Sequence, residues 1–115
     1  MSSATSLHAV ARADVHRQRL TAAVASYVGA WYELTADETH SHLARSIATE
    51  LAYLQLYDLH DTVAASLWAD RLASCSHSDT DHARLRLLRA RIAVGRGALH
   101  DARRQLAGHA SLQGF

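Results

Sequence analysis

Apolar residues recur along the chain at intervals of three and four, the period of a helix that buries one face. The stripe is clearest at Leu85, Leu88 and Ile92. It recurs at Leu43, Ile47, Leu51 and Leu54, and at Ala64, Leu67, Trp68 and Leu72. Leu20, Val24, Tyr27, Val28 and Trp31 form another. No run alternates apolar and polar residues in the manner of a half-buried strand. The pattern therefore predicts an all-α domain with about five helices.

Punctuation sets the expected boundaries. Residues 1–5 should fray. A segment over 6–34 forms one helix, or two if the polar run His16-Arg17-Gln18-Arg19 breaks it. Thr35 and Glu38 fit a capping box, in which hydroxyl and carboxylate satisfy opposite free amides. They predict a helix from about Asp37 to Tyr57. A tight turn at Asp58–Asp61 then leads to a helix over 62–74, so that 37–74 is a first hairpin. The polar stretch from Cys75 ends at a cap on Ser78 or Asp79. A second hairpin should follow over 79–110. Gly95 and Gly97 mark its turn, because glycine weakens a helix and readily takes the conformation that ends one.

The chain partly repeats itself at a shift of 38: Ala52 falls on Ala90, Leu54 on Ile92, Ala64 on Ala102, and Trp68 on Leu106. Each hairpin resembles a tetratricopeptide repeat. The resemblance rests on Leu51-Ala52 and Arg89-Ala90 midway along the first helices, and on Gly97 at the turn glycine. It rests further on small Ala64 and Ala102, with bulky Trp68 and Leu106 four positions on. It covers about Arg45 to Ala110. The family's closing proline is absent, and the spacing exceeds the usual 34 residues; the loop from Ser74 to Asp81 absorbs the difference. The resemblance implies antiparallel hairpins stacked as a right-handed α-solenoid, with a groove lined by the first helix of each hairpin. Matched position by position, that groove takes Thr49, Tyr53, Leu56 and Tyr57 from one repeat. Arg84, Leu87, Arg91 and Val94 come from the other. Tyr27, Trp31 and Tyr32 would close one end.

Composition narrows the function. The 115 residues make one domain with an ordinary 49% of apolar residues. Every basic residue is arginine, and the Ala- and Arg-rich usage points to a GC-rich bacterial genome. The net charge of +1 conceals an asymmetry. Glu33 to Asp81 holds nine acids and two arginines, whereas Arg84 to Arg104 holds seven arginines and one acid. A single cysteine, Cys75, permits no internal disulfide, which suits a reducing cytoplasm. No apolar run approaches the length of a membrane span, and the N-terminus lacks a secretory core.

Nine histidines invite a metal reading. However, Cys75, His77, Asp79, Asp81 and His82 lack the paired spacing of a structural zinc site. A loop also holds a Cys–His pair poorly for catalysis. No enzyme activity, metal or cofactor is expected. The expectation is a protein-binding scaffold or chaperone, similar in size and build to the small tetratricopeptide-like chaperones of type III secretion. Its partner would be a peptide or amphipathic helix carrying acidic residues, with homo- and hetero-oligomers left open. The alternative is a nucleic-acid-associated or transcription-regulatory domain using the basic Arg84–Arg104 surface. The near-neutral charge and the lack of a recognition motif weigh against nucleic acid.

Overall fold

Polar punctuation and alanine ridges decide where the helices stop and how closely they meet. The computed structural model describes residues 2–113, with side chains to position 100 and at Arg103 and Arg104. Its helices are α1 (Ser3–His16), α2 (Leu20–Tyr32), α3 (His42–Tyr53), α4 (Thr62–Ser74) and α5 (Asp79–Gln113). A π-helical turn, Leu54–Asp58, continues α3. No strand occurs among the described residues, and the fold is all-α with five helices.

The N-terminal segment is two helices rather than one. Ser2 caps α1 by accepting from the Thr5 amide, so the chain is helical earlier than expected. Gln18, at φ 60°, then turns it between α1 and α2. The two helices pack through Ala4 and Ala11 on one side and Ala23 and Ala30 on the other, all without exposure. Such small side chains let helix backbones approach closely. Half of the capping box at Thr35 forms: the Thr35 amide donates to the Glu38 carboxylate 3.0 Å away, while the Glu38 amide donates to the Thr35 carbonyl instead of the hydroxyl. Yet it closes turns over 36–41, and α3 starts five residues late because Ser41 is its cap, accepting from the Ala44 amide. Asp61 caps α4 in the same way, at the expected boundary.

α3 and α4 form the hairpin expected over 37–74. Ala44, Ala48 and Ala52 make a fully buried small-residue ridge on α3, facing Ala65 and Ala69 of α4. Ile47, Leu51, Leu54, Trp68 and Leu72 fill the core as expected. Leu43 is half-buried, and Leu67, expected in the core, is 48% exposed. Trp68 instead takes the interior face, its ring edge-on to Trp31 at 5.6 Å.

The largest departure is at Gly95 and Gly97. Neither glycine has positive φ, and α5 runs unbroken through both. Glycine lowers helix propensity by only about 1 kcal/mol, which continuous flanking helix can absorb. The expected second hairpin is therefore one 35-residue helix, started by Ser78 accepting from the Asp81 amide. Its Leu85, Leu88 and Ile92 are buried, and its one extended helix contact is with α4. The side chains of Ala102, Leu106 and Ala110 lie outside the described residues.

Candidate functional site

α3 carries side chains that reach α1 on one side and α5 on the other. Glu50 ties α3 to the α1–α2 pair. Its carboxylate accepts from Arg12 Nε and Nη2 at 2.8 and 2.7 Å. It also accepts from the Tyr27 hydroxyl at 3.0 Å and lies 3.1 Å from His8 Nε2. Burial alone would raise the Glu50 pKa, but the Arg12 bonds, the His8 charge and the Tyr27 bond outweigh it and hold the value below the ordinary 4.5. Tyr27 is pushed upward by burial and by the Glu50 charge, so it stays a hydroxyl donor.

One turn further on, Tyr53 ties α3 to α5. Arg91 donates to its hydroxyl at 3.3 Å, with the guanidinium carbon 5.7 Å from the ring centre. Tyr57 stacks on Tyr53, centroids 5.9 Å apart and planes inclined by 7°. The spacing of four puts the two rings on one side of the chain, and Tyr57 lies within the π turn. The Leu59 amide bonds the Leu54 carbonyl at 3.2 Å, five residues back. One extra residue in the turn buries Leu54, Gln55 and Leu56 together and leaves Tyr57 half exposed.

One hollow abuts the aromatic pair, and a second lies toward the start of α3. The first holds about 390 Å³ between Arg12, Val15, Tyr27, Glu50, Tyr53 and Tyr57. The other, about 150 Å³, lies between α3 and the start of α5, lined by His42, Thr49, Asp81 and Arg84 among others. Together they make a valley floored by α3 and walled by α1 and α5. What this arrangement can do is hold a chain segment. It offers aromatic faces, an apolar floor and separated charges.

Of the residues the sequence singles out, Thr49, Tyr53, Tyr57, Arg84 and Arg91 come together along the valley. Leu87 is exposed on α5 beside them. Leu56 does not belong with them. It is 5% exposed, with Cδ1 3.1 Å from where a Gly95 Cβ would stand, because the π turn rotates it inward. Trp31 and Tyr32 also lie elsewhere, packed around Arg71, which donates to the Tyr32 hydroxyl and covers the Trp68 ring at 4.7 Å. Only Tyr27 of that trio reaches the valley. Sequence reasoning missed Glu50, His8 and Arg12. The available signals were the single acid within the apolar stripe of α3 and the spacing of four between His8 and Arg12.

The polar loop before α5 is occupied with its own structure. Burial pushes up the Asp81 carboxyl. The amides of His77 and Ser78 and the charge of Arg45 pull it further down, to a value below the ordinary one. Cys75 is buried and its thiol is raised, chiefly by that burial. Among the described residues, no group of three or more His, Cys, Asp or Glu is placed to hold a metal ion. No helix there is long and apolar enough to cross a membrane. No protein family, characterised protein or solved structure matches the chain.

Proposed function

We propose that the chain is a non-enzymatic protein-binding module of tetratricopeptide-like build, holding a partner peptide or helix in the α1–α3–α5 valley as a bacterial cytoplasmic chaperone or scaffold does. The observation that carries this reading is the Tyr53–Tyr57 stack beside a hollow of about 390 Å³, with Arg91 over the Tyr53 ring. Tyrosine and arginine dominate the energetics of binding surfaces. Here they stand at the surface, while leucine and alanine stripes account for the core. Arg84 and Arg91 favour a partner with acidic residues beside its apolar anchors, which guanidinium groups can grip with two bonds. The basic-surface alternative is weakened by where the α5 arginines point. Arg89 pairs with Asp70, Arg91 with Tyr53, and Arg96 with Ser66.

Selection from a random peptide library tests the reading. The wild-type chain should enrich sequences that combine apolar anchors with Asp or Glu. The double variant Tyr53→Ala with Arg91→Glu should keep its helical circular dichroism and bind those peptides at least about tenfold more weakly, about 1.4 kcal/mol. Tyr57→Ala, at a half-exposed position, gives the same readout with less risk to folding. Undiminished binding by both folded variants would remove the valley as the site.

A further inference from the structure

The smaller hollow holds unused hydrogen-bonding capacity. Its lining contains two acids, Glu50 and Asp81, and two arginines, Arg45 and Arg84. Each acid already faces an arginine of its own. Glu50 accepts from Arg12. Asp81 Oδ1 lies 3.5 Å from Arg45 Nε, and its Oδ2 accepts from the His77 and Ser78 amides. Arg45 is committed in turn, since its Nη1 donates to the His40 and Cys75 carbonyls at 2.8 and 3.3 Å. Arg91, further along α5, lies over the Tyr53 ring and donates to its hydroxyl. Arg84 is the cation left over. Among the described residues no hydrogen bond or ion pair engages it, and none engages the hydroxyl of the half-buried Thr49 in the same lining.

We infer that this hollow is a carboxylate site built on Arg84 and Thr49 and that, on the peptide-binding reading, its guest is an Asp or Glu side chain of the partner. The guanidinium fork matches the two oxygens of a carboxylate, and the threonine hydroxyl supplies a further donor. A volume of about 150 Å³ admits one acidic side chain. The two acids in the wall set the charge of the guest. Both are held below their ordinary pKa values and are ionised at neutral pH. A dianion such as phosphate would meet that like charge at greater cost than a carboxylate does. The position of the hollow also fixes a spacing. Along α3 it is lined by positions 42–50, and the larger hollow by positions 50–57. Their centres stand about seven residues apart, roughly 10 Å along the helix. A helical partner that anchors an apolar side chain beside Tyr53 and Tyr57 therefore carries its acid about two turns away.

Titration of the full chain with sodium propionate at constant ionic strength, followed by amide chemical shifts, tests the site. Propionate carries the end of a glutamate side chain. It should shift the amides of 45–49 and 81–84 saturably, in the millimolar range. Thr49→Val, which keeps the side-chain shape, should weaken this binding several-fold, and Arg84→Gln should abolish it. Arg86→Gln, an exposed change on the same helix, should leave it intact. Absence of saturable shifts at these positions overturns the inference, and so does equal binding of phosphate or of neutral propionamide. Peptide selection then identifies the source of the carboxylate. Arg84→Glu should replace the preference for Asp or Glu, two turns from the apolar anchor, by one for Lys or Arg. It should also bind the original peptides at least about tenfold more weakly, whereas Arg86→Glu keeps the acidic preference. Captured peptides whose acidic preference survives Arg84→Glu overturn the inference. If neither wild type nor variant captures any peptide, the peptide-binding reading fails, and the propionate result alone upholds or overturns the carboxylate site.

Discussion

Replacing Glu50 by glutamine tests whether its carboxylate joins α3 to α1 and α2 through charge. Glutamine keeps the shape and can still accept from the Tyr27 hydroxyl, but it loses the negative charge facing Arg12 and His8. Arg12 is 60% exposed, so its half of the pair is screened and is worth no more than about 1 kcal/mol. His8 is mostly buried, with a side chain 10% exposed, and its hydrogen bond to a charged partner adds about 1 kcal/mol net. Together these predict a loss of about 1–2 kcal/mol for Glu50→Gln near neutral pH. Glu50→Leu should cost more, about 3 kcal/mol, because the Tyr27 hydroxyl and the His8 ring then lose their acceptor inside the protein. Urea unfolding followed by circular dichroism measures both. The sign with pH follows from linkage. The native Glu50 pKa lies below its unfolded value, so its contribution is present above about 4.5 and fades as pH falls through the lower native value. Wild type and Glu50→Gln should therefore converge in acid, once the pH falls below the native Glu50 value. Equal stability at neutral pH would refute the reasoning, as would a difference that survives in acid.

Trp68→Ala should cost about 3–5 kcal/mol in the same urea assay, since the ring is 4% exposed and packs on Trp31 and Arg71. Gly97→Ala should stabilise the protein by about 0.5–1 kcal/mol, because the site is helical and a Cβ would meet nothing within 4 Å; a loss of stability would mean that the chain turns there. Cys75 should react with a thiol reagent only after denaturant is added, being fully buried with a raised pKa; rapid modification of the native protein would contradict that environment.

Local signals read well where one short-range interaction decides the outcome. Asp61, a good cap placed just before an apolar stripe, fixed the start of α4, and the polar run at His16–Arg19 did mark a break. Signals failed where two local preferences competed. Thr35 and Glu38 form their bond, yet Ser41 caps the helix, and sequence offers no way to rank two adequate caps. Gly95 and Gly97 carry a propensity cost too small to set topology alone, so an apparent turn became mid-helix. The valley was half legible for a related reason. Tyr53 and Arg91 follow from helical spacing, but the partners of Glu50 lie 23, 38 and 42 residues away along the chain, and no periodicity reports that pairing. Leu56 was misplaced because constant helical phase was assumed across a turn that holds one residue too many.

That surplus residue has a consequence for descent. A turn closed by a bond five residues back has the geometry that one residue inserted into a helix with fixed ends would leave. Each residue advances a helix by about 100°, so deleting one between Leu54 and Asp58 would bring the following positions back into ordinary phase and turn Tyr57 off its shelf. Homologous chains that lack the insertion should therefore also lack the paired tyrosines. Length at this one position would then sort a lineage into members that present the aromatic surface and members that do not.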